Sequence, residues 1–385
     1  MWRSIASNAL TMLIVLVFLL GGLVLWGKEQ YTAEGPLTEA ICLRVPSGGR
    51  LSNVSEDLLE TGAVSSAGIL RIGADYTKKT NQLKAGSFLV PAGSSMEEIV
   101  DIITRGGANS CGTEIVYRIG VTRASVQVRE LDPATNRYIE RAEFDPTAET
   151  EVPEEFNKVR ARTDTRYRIA MAEGVTSWQV VDVLKAVEVL EGEIDGIPPE
   201  GTLAPNSYEV QTGGDRQALI DRMTSAQAAI LEAAWQDRDD DLPYDSPAEA
   251  LIMASIIEKE TGVPDERTQV ASVFVNRLRR GMRLQTDPTV IYGITNGEGV
   301  LGRGLRRSEL DRVTPYNTYA IDGLPPTPIA NPGKAAIEAA MQPASTDFVY
   351  FVADGTGGHA FATTLAEHNS NVAKWRQIEA ERAGQ

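Results

Sequence analysis

Three times along the chain an apolar stretch stops at a glycine and resumes with helical spacing. Val45-Pro-Ser-Gly48 leads to Val54, Leu58 and Leu59; Val90-Pro-Ala-Gly93 leads to the segment Ser95 to Ile103; Met171-Ala-Glu-Gly174 leads to the segment Thr176 to Leu184. Each reads as the end of a strand, a glycine turn and a capped helix. Ser95 with Glu98, and Thr176 with Gln179, fit the capping box, in which two side chains satisfy the free N–H groups of a helix start. The first two units, with a strand over residues 86–90, predict a small α+β module spanning residues 40–110. Ahead of it, Ala9 to Trp26 is an uncharged apolar run of eighteen, just long enough to cross a bilayer. Arg3 and the amino terminus precede the run, which places residues 1–8 in the cytoplasm by the positive-inside rule. Leu23-Val-Leu-Trp-Gly-Lys28 lacks a small-x-small cleavage site, favouring an uncleaved anchor at 9–27 over a signal peptide.

Residues 113–168 have a different texture. Ile115 to Gly120 and Ala124 to Leu131 alternate like strands, and Asp132-Pro-Ala-Thr-Asn136 is a turn signal. An acidic, proline-containing stretch then runs through Glu155. The expectation is an inserted, strand-rich segment with a mobile acidic loop. From 169 to 385 the pattern is that of one larger α+β domain.

Composition narrows the chemistry. Lys and Arg total 37 against 53 Asp and Glu, a net charge of −16, which argues against a nucleic-acid partner. Two cysteines and two histidines, with His359 and His368 nine apart, provide no metal-ligand spacing, so no metal and no cofactor is expected. If the chain beyond residue 28 is exported, Cys42 and Cys111 lie in an oxidising compartment; a bridge and two free thiols both remain open.

The stretch Leu251-Ile-Met-Ala-Ser-Ile-Ile-Glu-Lys-Glu-Thr261 places carboxylates inside an apolar helical run. A carboxyl held against apolar surface is kept protonated, as a general acid must be. Ala250, Met253, Ala254 and Ile257 share one helical face, and Glu260 falls at its edge. Glu258 lies roughly 160° from Glu260, at about 100° per residue, so Glu258 and Lys259 are expected to be solvated or to act at a distance. The pattern alone also fits two ordinary glutamates near a helix end. Arg277, Arg279 and Arg280 suit the negative end of the following helix.

Several segments together resemble the endolytic murein transglycosylase family (MltG, YceG-like): Ala254-Ser-Ile-Ile-Glu-Lys-Glu-Thr261, Val270 to Leu278, Gly281-Met-Arg-Leu-Gln-Thr-Asp-Pro-Thr-Val-Ile-Tyr-Gly293, Thr314-Pro-Tyr-Asn-Thr-Tyr319, Ile329-Ala-Asn-Pro-Gly333, Tyr350 to Gly355, Gly357-Gly-His359 and Glu367-His-Asn369. The likeness covers most of residues 170–376, in order. The chain departs from it at Ala204-Pro-Asn-Ser-Tyr208, where relatives carry an aromatic-Pro-Asp-Thr-aromatic run, and at Thr327, where they carry glycine. Residues 40–110 resemble a LysM-like module, though a docking domain without glycan contact fits them as well.

The resemblance implies a single-pass protein of the inner membrane with its catalytic part in the periplasm. Its substrate would be peptidoglycan, cut at the β-1,4 bond between N-acetylmuramic acid and N-acetylglucosamine to leave 1,6-anhydro ends, beside the peptidoglycan synthases. Glu260 matches the family's catalytic glutamate. Around it, Gln285, Asp287, Tyr316, Asn317, Tyr319 and His359 are candidate substrate contacts, with Asn317 preferred. Structural alternatives stand beside them: Asp287 as the cap of a helix with Pro288 first in it, the tyrosines and Asn317 as loop packing, His359 as a surface hairpin residue, His368 as a structural hydrogen-bonder. Two rival functions share the peptidoglycan address, a non-catalytic scaffold and a hydrolytic muramidase in which Asp287 activates water.

Overall fold

The computed structural model describes residues 2–46, 48–105, 110–146, 148, 152–162 and 164–383. The chain forms two compact units, one of residues 1–115, 127–143 and 152–166, the other of 116–126, 144–151 and 167–385.

In the first unit the helix Trp2–Thr32 contains one stretch, Leu10–Thr32, long and apolar enough to cross a membrane. It runs beyond the expected anchor through Lys28 and Glu29. Strands Ile41–Val45 and Gly86–Val90 pair antiparallel, Ile41 opposite Val90 and Val45 opposite Gly86. Between them lie helices Leu51–Glu60 and Ala67–Tyr76, and Met96–Thr104 follows. Leu58, Leu70, Val90, Ile99 and Ile103 are fully buried between these elements. The Ser95–Glu98 capping box forms as expected. Cys42 and Cys111 are joined in a disulfide, their Cα atoms 5.6 Å apart.

The five-stranded sheet has the strand order Arg137–Phe144, Ala124–Asp132, Thr113–Ile119, Arg166–Met171, Ser207–Val210. Three of these strands lie wholly within residues 113–168. Thr113–Ile119 is a middle strand, with Ile115, Val116, Tyr117 and Ile119 all buried, the mark of a strand covered on both faces. The turn at Asp132 is real: its carboxylate accepts from Ala134 N–H at 3.1 Å and Thr135 Oγ1 at 2.7 Å. Of the acidic stretch, residues 147 and 149–151 lie outside the described residues, and Glu154 and Glu155 open a helix, Glu154–Arg160.

The second unit is built around helix Pro247–Glu260. Ser246 caps it, accepting from Glu249 N–H, and Pro247 takes a first-turn position where its missing N–H costs nothing. All eight residues from Ala250 to Ile257 are buried, against Phe274 of helix Arg267–Arg279 and Ile337 and Ala340 of helix Lys334–Met341. A helix buried all round has no polar face, so the wheel that separated Glu260 from Glu258 and Lys259 had no polar side on which to place them. Helix Ser177–Ala186, with the expected Thr176–Gln179 capping box, and helix Asp287–Thr295 also belong to this unit. So does the hairpin Tyr350–Ala353/His359–Ala362, in which Ala353 faces His359.

Candidate active site

Glu260 is the last residue of its helix, and Thr261 N–H closes the turn onto Ile257 O at 3.3 Å. The helix thus delivers the carboxyl to the edge of the core, where it is partly buried. Burial is the main reason its pKa is raised. The Asp287 carboxylate pushes the same way; a hydrogen bond from Thr286 and the charges of His359 and Arg277 oppose it. The partial negative charge at a helix C-terminus also disfavours the ionised form.

The loop after Gly281 supplies the other wall. Thr286 Oγ1 donates to Glu260 Oε1. The Thr286 N–H donates to Thr318 Oγ1 at 3.0 Å, and the Thr289 hydroxyl donates to Thr286 O at 2.8 Å. All three threonines are buried. Leu284, fully buried, and Thr286 flank Gln285, which adopts φ 47°. This left-handed conformation is uncommon for a residue other than glycine, and such strain concentrates at functional sites. It turns the Gln285 side chain out to solvent, where it makes no hydrogen bond among the described residues.

Asp287 is exposed and accepts from Tyr319 Oη at 2.6 Å. The helix it begins is capped at Thr286, and neither side chain caps the free N–H groups, so the expected capping by Asp287 does not occur. Burial first, then the bond to Asp287, raises the Tyr319 phenol. Glu260, Thr286, Asp287 and Tyr319 thus form one cluster, with Gln285 at its rim.

The other candidates sit differently. Asn317, the preferred substrate contact, is fully buried. Its Nδ2 donates to Glu309 O, Leu310 O and Arg312 O at 3.2, 3.0 and 2.6 Å, and its Oδ1 accepts from Tyr319 N–H at 3.0 Å. With every amide group engaged it organises the loop and has nothing left for a sugar. Tyr316 packs on Tyr292, ring centroids 5.1 Å apart, and bonds Thr327 Oγ1 at 2.7 Å. His359 Nδ1 meets Glu266 Oε2 at 2.8 Å, with its ring edge-on to Phe351. His368 stacks on Tyr350 at 5.0 Å, and its Nδ1 has no hydrogen-bond partner among the described residues, contrary to the role expected of it.

Glu258 and Lys259 are partly buried. Glu258 accepts from Gly333 N–H at 3.0 Å, and burial raises its pKa. Lys259 donates to Gly174 O at 3.2 Å, and burial lowers its pKa. Arg277 is buried, bonding Val349 O at 2.7 Å and Leu284 O at 2.6 Å, so it ties the hairpin and the site loop to its helix. Sequence reasoning also passed over Glu200. Burial raises this carboxyl, which accepts from Ser177 N–H at 2.8 Å, Asn331 Nδ2 at 3.3 Å and Tyr292 Oη at 3.2 Å.

Comparison with known proteins places these residues in context. An endolytic murein transglycosylase of Bacillus subtilis (strain 168) is 28% identical over 361 residues, covering 93% of this chain and 91% of the relative. One from Streptococcus pneumoniae (serotype 2, strain D39) is 26% identical over 341 residues, 87% of this chain and 58% of the longer relative. A crystal structure of a protein described as YceG-like, from Listeria monocytogenes, aligns with a TM-score of 0.46 and 25% identity over 86% of this chain and 98% of that one. A model of the YceG-like family matches residues 43–374, which include both walls of the cluster, and the chain belongs to that family.

Proposed function

We propose that this protein is a membrane-anchored endolytic lytic transglycosylase of peptidoglycan, with Glu260 as its one acid and base. The observation that carries the reading is a carboxyl whose pKa is raised by burial, at the edge of the core, beside an exposed amide and an exposed carboxylate. Ordinary glycosidases need two carboxylates, one of them to activate or replace water. A lytic transglycosylase manages with one, because the muramic acid 6-hydroxyl is the nucleophile. Glu260 gives its proton to the glycosidic oxygen as that bond breaks, then as carboxylate takes the proton of the 6-hydroxyl as it closes on C1. The nucleophile is tethered to the reacting carbon, so its attack carries little entropic cost. The Thr286 hydroxyl stabilises the carboxylate formed midway. Gln285 is placed to bond sugar hydroxyls or acetamides, and Asp287 with Tyr319 to border the same subsite.

The names of the relatives support a peptidoglycan substrate, and the apolar helix supports a single-pass anchor; the inner-membrane address, the periplasmic side and the nearby synthases rest on the family resemblance. The strand–helix–helix–strand order of residues 41–90 supports a LysM-like, glycan-holding module. Confined there, the enzyme would limit the length of newly made strands.

Full-length protein in detergent, incubated with uncrosslinked strands, is expected to give 1,6-anhydro ends by mass spectrometry, and Glu260→Gln to abolish them. Reducing ends, one water heavier, would identify the muramidase with Asp287 as base. A wild type that cuts nothing, while Glu260→Gln keeps the cellular role, would identify the scaffold.

A further inference from the structure

A pocket of 330 Å³ is lined by Lys259, which precedes Glu260 in the chain, and Pro288, which follows Asp287. Its size lies at the lower end of the roughly 300–1,000 Å³ typical of small-ligand sites, enough for two or three small residues. Its charge is unusual for this chain. Acids outnumber bases 53 to 37 overall, yet the pocket is lined by two cations, Lys259 and Arg303, and by no carboxylate.

The two cations differ in availability. Arg303 is clamped to Glu309 at 2.6 and 2.9 Å. Lys259 is partly buried and, among the described residues, makes a single hydrogen bond, to a backbone carbonyl. Glu258 and Glu200 are near enough for their charges to act on it. Neither forms an ion pair with it, and both are occupied elsewhere, Glu258 with Gly333 and Glu200 with Ser177, Asn331 and Tyr292. A half-buried ammonium with two spare N–H groups is poorly compensated, and an anion is what compensates it. Around it the lining is aliphatic, with Val121, Ile291, Val300 and Ile329.

We propose that this pocket binds the carboxylate-bearing side arm of the glycan strand, with Lys259 pairing its carboxylate and the aliphatic wall receiving its small apolar residues. The inference rests on the peptidoglycan reading. Two parts of the substrate carry this chemistry, the stem peptide and, once that is removed, the lactyl carboxyl it leaves; the pocket's volume and aliphatic wall favour the peptide.

The test compares kcat/KM of full-length protein on three uncrosslinked substrates: strands with native stem peptides, strands whose peptide carboxylates have been amidated, and strands stripped of peptide by an amidase. Wild type is expected to prefer native over amidated strands by about tenfold, the size of a charge-assisted hydrogen bond, through KM. The preference collapses toward one in Lys259→Met and survives in Lys259→Arg. Stripped strands behaving like native ones would assign the pocket to the lactyl carboxyl and overturn the peptide. A wild type indifferent to amidation, or Lys259→Met keeping the preference, overturns the pocket while leaving the transglycosylase reading intact. Direct binding of a disaccharide–peptide to Glu260→Gln, weakened about tenfold by adding Lys259→Met, would sustain the pocket even if no strand were cut; no such weakening overturns it.

Discussion

Replacing Thr286 with valine removes one hydroxyl from the carboxyl of Glu260 and little else. Valine has nearly the same shape, the position is 2% exposed, and the backbone bonds of residue 286 to Thr318 and Thr289 remain. A hydrogen bond to a charged group is worth about 1.5–3 kcal/mol. The neutral acid loses part of the same bond; if it loses half, the difference approaches the 1.4 kcal/mol that is tenfold in an equilibrium. The bond from Thr286 lowers the Glu260 pKa against burial, so its loss leaves only the charges of His359 and Arg277 to oppose burial and the carboxylate becomes rarer at any given pH. The assay is the pH dependence of kcat/KM on uncrosslinked strands. Its alkaline limb, where the proton donor is lost, is expected to move to higher pH, and Thr286→Ser to return it. A limb that stays in place, or moves down, refutes the role given to this hydroxyl.

Three further outcomes can be measured. The folded state holds the Glu260 proton more tightly than the unfolded chain does, so the associated stability is present at acid pH and is lost as pH rises through the raised pKa. Glu260→Gln is therefore expected to melt above wild type at pH 8, with the gap closing by pH 4; a gap that widens in acid contradicts this. Serine at both Cys42 and Cys111 opens a loop spanning 69 residues, expected to cost about 4 kcal/mol, read as the urea midpoint; a loss below about 1 kcal/mol rejects the chain-entropy account. Asn317→Asp sets a carboxylate against three backbone carbonyls, expected to cost about 3 kcal/mol or more of stability; unchanged melting with a raised KM would restore it as a sugar contact.

Elements whose determinants are local could be read from the chain. Ser95 and Thr176 cap helices with their third neighbours, and the hairpin around His359 turns at its glycines, because those bonds join residues a few positions apart. Glu260 was legible because a carboxylate in an apolar run is conspicuous. What escaped depends on distant partners. Thr286 touches Glu260 and Thr318, 26 and 32 positions away, and nothing in its own neighbourhood announces this. The wheel could not fix the surroundings of Glu258 and Lys259, because it presumes a solvent side that the helix lacks along its buried residues. Asn317 looked like a ligand for sugars because an exposed and a buried asparagine are the same letter.

The helix that carries Glu260 has no free side along eight consecutive residues. It cannot roll or slide without emptying the core on some flank, so its terminal carboxyl is a fixed point. Fitting the enzyme to a different wall polymer must therefore fall to the opposite bank, residues 285–319, where a glutamine already stands out from the surface on a strained backbone. Variation that retunes which strands are cut belongs on that bank, and repacking behind the acid would blunt every substrate alike.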